Sequence, residues 1–283
     1  MIQIHGPRAT PATCRCGAML RPVAILLAVA SGAVGAEGPE RDYAQFAERH
    51  SPAIVTIKCL LKVKMGAYGE QEAEQEISGA MIEPSGLVLC SNTALSGYTP
   101  IMKRMMGSMA GELIATPTEI KVLIGEDSEG TPAELVARDT ELDLAWVRIK
   151  DPGERTFAHL DLKSTAEASL GQRLLALRRL GKYYDRAVLV RDGRVVGVTS
   201  KPRRLFVPSD ELDALGLPVF NERGDVVGVT VMQLPEADGA DGLAAMMGRM
   251  SDAQNLLSAA ILPAESVVKA TQRALESVAA DRE

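Results

Sequence analysis

Histidine, the most frequent general base of enzymes, is scarce in this chain. Of its three histidines, only His50 and His159 follow the first 36 residues. His50 precedes the first predicted strand, and His159 lies in a predicted linker. A lone histidine at such a place is more often a surface residue or a hydrogen-bonded polar residue than a catalytic base. We therefore expect neither histidine to act as one.

Methionines recur at helical spacing in two segments and raise the question of a metal site. Thioether ligands suit Cu(I), and Met105, Met106 and Met109 would be its candidate ligands. The interleaved Lys103 and Arg104 favour instead an amphipathic helix that covers the domain or a partner. We therefore predict no metal and no cofactor. The methionines concerned are Met102, Met105, Met106, Met109, Met246, Met247 and Met250.

Residues 1–36 have the features of a signal peptide. They contain three arginines and no acidic residue, an apolar run over residues 23–30, and small residues before Glu37. The apolar run is too short for a permanent membrane span. We expect a periplasmic or secreted protein, whose translation starts at either Met1 or Met19. Removal of the signal peptide moves the formal charge of the chain from −6 to −9. Such an acidic protein is repelled by the phosphate backbone, so the charge argues against nucleic acid as a partner.

Four cysteines are present, and two of them belong to the predicted signal peptide. Cys14 and Cys16 would leave with it, so their spacing does not indicate a metal or redox motif of the mature protein. Cys59 and Cys90 each lie in an apolar strand pattern. A disulfide and a pair of buried free thiols are equally compatible with that pattern in an oxidising compartment.

Short runs rich in Val, Ile and Thr, separated by Gly, Pro and Asp, predict an all-β fold. The break at Asp151-Pro152-Gly153 divides them into an N-terminal lobe, residues 37–150, and a C-terminal lobe, residues 151–283. The predicted strands cover residues 53–63, 77–83, 87–90, 119–124, 133–138, 144–149, 173–177, 187–190, 194–199, 217–221 and 226–232.

Three further segments depart from the strand rhythm. Residues 66–76 have the composition of an acidic loop, and residues 98–117 and 235–258 that of insertions. Residues 264–280 carry a stripe of apolar residues at helical spacing, which predicts a C-terminal helix packed on the second lobe.

Three motifs, in order, resemble the catalytic motifs of trypsin-like serine proteases of the HtrA/Deg kind. Residues 78–93, SGAMIEPSGLVLCSNT, look like the hairpin that leads into the catalytic histidine. Residues 142–149, LDLAWVRI, are similar to the strand that opens with the catalytic aspartate. Residues 213–221, DALGLPVFN, lie where the family has its nucleophile loop. The resemblance spans about residues 45–280 and implies two tandem antiparallel β barrels of the chymotrypsin type with a C-terminal helix. No PDZ domain is expected.

The resemblance also implies that the catalytic triad is incomplete. Thr93 occupies the histidine position, Asp143 the aspartate position and Leu215 the serine position. A serine attacks a carbonyl only when an imidazole accepts its proton, and a carboxylate orients that imidazole. Threonine does not accept a proton near neutral pH, and leucine has no nucleophile. We therefore expect no catalytic residue.

The loop that would form the oxyanion hole, Asp213, Ala214 and Gly216, differs from the family pattern as well. Asp213 replaces the expected glycine, and its carboxylate would repel a developing negative charge. The nearest serine, Ser209, precedes Asp210 in a sequence typical of a turn or a helix cap. Asp143 is interpreted as a carboxylate that accepts hydrogen bonds from local backbone amides.

The resulting prediction is an inactive protease homologue that binds a peptide or protein partner in the former active-site cleft. Extended peptides can add to a strand edge without any chemistry. The alternative is an active serine endopeptidase with a non-standard catalytic site. HtrA-like proteases often form homo-oligomers, but the sequence leaves the oligomeric state open.

Overall fold

A computed structural model describes residues 39–65, 69–106, 113–163, 166–209, 212–233 and 259–280. The predicted signal peptide, residues 1–36, lies outside these ranges. So do Met109 and the whole predicted second insertion, residues 235–258, with its methionines. Within the described ranges, no helix is both long enough and apolar enough to cross a membrane.

The first barrel follows an N-terminal helix and contains six antiparallel strands. Helix α1 (Pro39–His50) leads through a 3-10 turn (Ser51–Ala53) into the barrel, whose closed order is β1-β2-β3-β6-β5-β4. Its elements are β1 (Ile54–Met65), β2 (Glu70–Glu83), β3 (Leu87–Ser91), α2 (Asn92–Leu95), α3 (Thr99–Met106), β4 (Leu113–Leu123), β5 (Thr131–Asp139) and β6 (Leu144–Ile149).

The second barrel repeats the six-stranded closed arrangement, in the order β10-β11-β12-β9-β8-β7. It ends in a C-terminal helix. Its elements are β7 (Arg173–Arg179), a 3-10 turn (Lys182–Tyr184), β8 (Val188–Thr199), β9 (Leu205–Pro208), β10 (Pro218–Phe220), β11 (Val226–Val231), β12 (Ala260–Pro263) and α4 (Ala264–Ala280). Two closed antiparallel barrels and a terminal helix confirm the predicted fold class.

Apolar side chains fill both barrels because alternate strand residues point inward. In the first barrel the hairpin between β2 and β3 turns at Pro84-Ser85-Gly86, and Gly86 has a φ of 97°. That left-handed conformation is open to glycine at little cost. The turn thereby sets the register that carries β3 towards Thr93.

Helix α4 occupies the predicted residues 264–280 and covers the barrels through its apolar stripe, in which Ala264, Val267 and Ala270 are buried. The helix contacts both β5 and β11. The Nε1 of Trp146, a fully buried side chain of β6, donates a hydrogen bond to Thr271 Oγ1 at 3.1 Å. The helix therefore packs on both barrels, and not on the second lobe alone as predicted.

The predicted acidic loop at residues 66–76 was wrong for most of its length, because β2 begins at Glu70. This part of the strand is exposed and has no apolar alternation, which is why the sequence pattern missed it. It is held by pairing with β1 and by cross-strand ion pairs, Glu74 with Lys58 and Glu72 with Lys62, each at 2.9 Å. Such pairs of opposite charge stabilise neighbouring strands.

Three other strand predictions need correction. The predicted insertion 98–117 contains α3 and the start of β4, which pairs with β1. The strands predicted at 187–190 and 194–199 are one strand, β8, which pairs with β7 through Asp192, whose carboxylate lies 2.7 Å from Arg173 of β7. Strands β9 and β12 were not predicted, since four residues each carry little periodic signal.

Candidate functional site

Asp143 lies at a tight corner immediately before β6. The preceding turn is closed by Asp139, whose Oδ1 accepts hydrogen bonds from the backbone N–H groups of Glu141 and Leu142 at 3.1 and 2.8 Å. Asp143 itself has a φ of 58°, a left-handed conformation that aspartate tolerates better than most residues do. The corner turns the Asp143 side chain into the protein, where it is almost completely buried.

The buried Asp143 carboxylate accepts three hydrogen bonds. The backbone N–H of Thr93 donates to Oδ1 at 2.6 Å, while the backbone N–H of Met232 and the Ser91 hydroxyl both donate to Oδ2 at 2.9 Å. These donors come from α2, from the residue after β11 and from the end of β3. The prediction that Asp143 binds backbone amides is confirmed, but the amides are distant in sequence and not local.

Burial is the main influence on the ionisation of Asp143. Loss of hydration raises the pKa of the carboxyl above its ordinary value, and the hydrogen bonds from Met232, Thr93 and Ser91 oppose that shift. Every donor is a neutral group. Among the described residues, the Asp143 carboxyl group is therefore held by neutral hydrogen-bond donors and not by an imidazole.

Thr93, in the histidine position, lies in the short helix α2 and is buried. Ser91 caps this helix, since its Oγ accepts a hydrogen bond from the backbone N–H of Ala94 at 3.1 Å. The same hydroxyl donates to Asp143. One serine thus fixes both the start of the helix and the carboxylate, and the backbone of Thr93 lies directly against Asp143.

The loop that carries Leu215 is fixed by the glycine after it. Gly216 has a φ of 77°, and a Cβ built at this residue would lie 2.3 Å from the backbone nitrogen of Ser91. Only glycine permits this approach. The Gly216 N–H also donates to the Thr230 carbonyl at 2.7 Å. The serine position is thereby held beside the end of β3, close to the position of Thr93.

Asp213, in the same loop, points away from this contact towards two arginines. Arg178 of β7 donates to its Oδ2 at 2.5 Å, and Arg191 of β8 lies 3.8 Å away. The Asp213 side chain is 61% exposed. Its charge is therefore screened by solvent and balanced by arginines, in contrast to the buried charge of Asp143.

Between the barrels, a cleft of about 280 Å³ contains these loops. Leu215 and Ala94, the neighbour of Thr93, lie on its walls together with Tyr98, whose side chain is 48% exposed. Thr56 also lines the cleft but is only 4% exposed, and its buried hydroxyl has no hydrogen-bond partner among the described residues. The cleft is thus lined by both polar and apolar groups, with Glu76, Arg178 and Asp213 among the charged side chains and Leu215 among the apolar ones.

Arginine side chains of the second barrel hold the two sides of this cleft together. Arg179 donates to the carbonyl oxygens of Ile54 and Ser51 at 2.6 and 3.2 Å. Arg186 forms a two-pronged ion pair with Glu76, with donor–acceptor distances of 2.6 and 3.2 Å. Planar guanidinium groups suit such multiple contacts. The cleft therefore has a preformed shape.

Residues 78–229 match the family described as the trypsin-like peptidase domain. The chain belongs to the trypsin-like peptidase family. The match begins in the hairpin before Thr93 and ends in β11, so it includes all three triad positions. A comparison with curated protein sequences finds no match.

Solved structures with the same fold include trypsin-like peptidases of the HtrA type. The crystal structure of Deg5 superposes with a TM-score of 0.52 at 18% identity, covering 82% of this chain and 93% of that one. The HtrA-type protease AlgW, solved with a tripeptide, gives 0.50 at 15% identity and coverage of 81% and 62%. The MamO protease domain from Magnetospirillum magneticum gives 0.45 at 19% identity and coverage of 78% and 96%. The similarities to Deg5 and AlgW show the fold alone.

Neither histidine of this trypsin-like peptidase domain lines the cleft. His50 and His159 border a different cavity, beside Phe220. The expectation that a lone histidine is exposed or hydrogen-bonded was wrong for His50, which is buried and whose Nε2 has no partner within the described ranges. It packs between the rings of Phe46 and Phe220, at centroid distances of 4.9 and 4.6 Å.

The remaining serine, cysteine and methionine candidates with described side chains do not line the cleft. The Ser209 carbonyl accepts from the Leu212 N–H at 3.1 Å, which confirms a turn there. Cys59 and Cys90 are buried free thiols, and burial raises the pKa of both. Met102 and Met106 lie on α3 and are 43% and 38% exposed, so they do not fill the core. No group of three or more His, Cys, Asp or Glu side chains that could bind a metal occurs in the described part of the chain.

Proposed function

We propose that this chain is an exported, catalytically inactive trypsin-like peptidase homologue that binds an extended peptide or protein segment in its interbarrel cleft. The observation that carries the proposal is the character of the triad positions. Leu215 presents a hydrocarbon side chain to the cleft, and the buried Thr93 lies against Asp143. Neither side chain can replace the nucleophile or the base of the triad.

The same cleft retains the features that bind a peptide. Its walls are held by the Arg179 and Arg186 contacts, so little ordering is required when a ligand binds. Ala94, Leu215 and the exposed Tyr98 offer apolar surface.

An active endopeptidase with a non-standard site is the alternative. One observation favours it, because Ser78 lines the cleft and carries a hydroxyl. Its Oγ, however, lies 3.3 Å from both the backbone oxygen and the backbone nitrogen of Arg179. That hydroxyl is therefore already hydrogen-bonded, and no histidine is found among the described lining residues.

Catalysis is tested by labelling the purified protein with a fluorophosphonate and by casein digestion. We expect the wild-type protein to be inert in both assays. A Thr93→His/Leu215→Ser/Asp213→Gly variant restores the family residues, and labelling of this variant would show that the three positions share the cleft. Circular dichroism confirms that each variant is folded. Probe-sensitive casein digestion by the wild-type protein, lost in Ser78→Ala, would establish the alternative and refute the proposal.

Peptide binding is tested separately with fluorescently labelled casein, an unfolded polypeptide, by anisotropy. Leu215→Arg fills the apolar wall with a long charged side chain, and we expect it to weaken binding about tenfold or more. Leu170→Arg is the matched control, because Leu170 is 69% exposed and does not line the cleft. Equal affinities of the two variants would contradict binding in the cleft.

Export is tested by the amino terminus of the protein recovered from an expressing cell. Cleavage after residue 36 predicts a mature chain that begins at Glu37 and is found outside the cytoplasm. Recovery of an intact chain from the cytoplasm would refute this part of the proposal without affecting the cleft.

A further inference from the structure

Helix α1 is held on the second barrel by few side chains. Phe46 and His50 are its only buried residues within the part of the helix whose side chains are described. Their rings lie 5.2 and 4.6 Å, centroid to centroid, from the ring of Phe220 in β10. Nearer the start of the helix, Tyr43 donates a hydrogen bond to Asp192 of β8. A change at either buried ring should therefore affect how firmly the helix is docked.

His50 combines burial with a nitrogen atom that lacks a partner. Its ring lies between those of Phe46 and Phe220, at centroid distances of 4.9 and 4.6 Å. Nε2 is buried and has no hydrogen-bond partner within the described part of the chain. A Cβ built on Gly224 would lie 2.8 Å from Nε2, so the Gly224 backbone already packs closely against this atom. In the protonated ring, Nε2 would therefore carry a buried N–H group without an acceptor.

The charged groups around His50 do not offer that acceptor. Four carboxylates border the same cavities as the ring, and none of them is a hydrogen-bond partner of Nε2: Asp42, Asp161, Glu222 and Asp225. Glu222 lies 3.8 Å from Arg173, and Asp225 accepts a hydrogen bond from the Asn221 amide at 3.0 Å. The remaining titratable or charged groups at these walls are Arg49, Arg223 and His159. Arg49 precedes His50 in the chain, and its charge disfavours a second positive charge there.

These surroundings favour the neutral imidazole while α1 is docked. Burial, and then the charge of Arg49, lowers the pKa of His50 below its ordinary value of 6.5. If the helix detached, the ring would be hydrated and would titrate near that ordinary value. The detached form therefore binds protons more tightly than the docked form does. The contribution of His50 to docking is fully present above pH 6.5 and decreases as the pH falls through the interval below it.

We propose that His50 is an acid-sensitive switch, which holds α1 on the second barrel when neutral and releases the helix when protonated. Release would withdraw Phe46 and uncover the ring of Phe220, so apolar surface that is buried in the docked form would become exposed. None of these three residues is among the described residues that line the interbarrel cleft. The switch therefore does not depend on the proposed binding of a peptide.

Histidine-selective isotope labelling gives a direct test, because the full chain contains only three histidines. NMR titration measures the pKa of His50, whose signal is assigned with His50→Phe, and we expect a value below 6.5. Docking of α1 is followed by backbone amide exchange between about pH 8 and 5, the range in which histidine titrates. Each exchange rate is divided by the intrinsic rate at that pH, so that it reports opening of the helix. We expect opening of α1 to increase at least about threefold on acidification, while the strands of the second barrel keep their protection.

Two kinds of variant separate His50 from other causes of pH dependence. His50→Phe retains an apolar ring but cannot titrate, and His50→Gln is a second variant without a titrating group. Opening of α1 should be independent of pH in both. His159→Phe is the matched control, because His159 is exposed and borders one of the same cavities, and it should keep the wild-type pH dependence.

Three results would overturn the proposal. The first is a pKa of His50 at or above 6.5. The second is the same pH dependence of α1 opening in the wild-type protein and in His50→Phe or His50→Gln. The third is loss of protection in α1 and in the strands of the second barrel together, since acid would then unfold the barrel and not release the helix.

Discussion

Two aspartates of the segments that resemble the family's catalytic motifs, Asp143 and Asp213, have opposite surroundings. Asp143 is buried and accepts its hydrogen bonds from neutral groups of three separate segments. Asp213 is exposed and pairs with the positive side chains of Arg178 and Arg191. The first is part of the framework that joins the barrels, whereas the second lies on the surface of a loop. The Asp143 carboxylate thus has a structural role that does not depend on catalysis.

The difference extends to how each region is anchored. The Asp143 corner depends on hydrogen bonds that satisfy buried groups. The Leu215 loop depends on the close approach of Gly216 to Ser91, and its ion pair adds little in water. Substitutions in the two regions should therefore lower the free energy of unfolding by different amounts and for different reasons.

The largest effect is expected from Asp143→Ala. It removes the acceptor of three buried hydrogen bonds, and we expect the free energy of unfolding to fall by about 3–5 kcal/mol. Asp213→Ala should cost less than about 1 kcal/mol, because the ion pair is largely exposed. Urea denaturation measures both values. Similar losses in the two variants would remove the distinction between a structural and a surface aspartate.

Gly216→Ala is expected to have the next largest effect, about 2–4 kcal/mol. The added Cβ would lie 2.3 Å from the Ser91 nitrogen, so the loop or the end of β3 must move. Gly171→Ala is the matched control, since its φ of 82° is similar and nothing lies within 4 Å of the added Cβ. It should show only the cost of the left-handed backbone, about 1 kcal/mol. Thermal and urea unfolding of both variants separate the two contributions.

A smaller difference is expected between two ion pairs beside the cleft. The Arg186–Glu76 side chains are only 11% and 14% exposed, so Arg186→Met leaves a partly buried carboxylate without its partner. We expect a loss of about 2–3 kcal/mol. Arg178→Met breaks the exposed pair with Asp213 and should cost less than about 1 kcal/mol. Chemical denaturation of the two variants would contradict this ranking if Arg178→Met were the more damaging.

The smallest expected effect is a pH dependence that belongs to Asp143. Because burial raises the pKa of this carboxyl in the folded state, the native protein binds more protons than the unfolded chain between the ordinary value of 3.8 and the raised value. The free energy of unfolding contributed by this group therefore falls as the pH rises through that interval. Subtracting the profile of Asp143→Asn from that of the wild-type protein isolates it. A difference that rises with pH would show that the hydrogen bonds outweigh burial.

Local patterns in the sequence were sufficient for much of the fold. Alternating apolar residues predicted most strands, and the helical stripe of residues 264–280 predicted α4 with its observed bounds. These features depend on neighbours a few residues apart, so a single sequence records them. The motifs likewise predict, from residue type alone, that Thr93 stands at the histidine position and Leu215 at the serine position.

Only the tertiary structure decided how those residues are used. The donors to Asp143 lie 50 residues or more from it in the chain, so no local periodicity predicts them. The exposed start of β2 is stabilised by ion pairs with β1, and the burial of His50 depends on Phe220 of the second barrel. The environment of a polar side chain is set by groups that folding brings near it. Residue type is therefore determined by the sequence, while burial, charge partners and hydrogen bonds are determined by the packing of the two barrels.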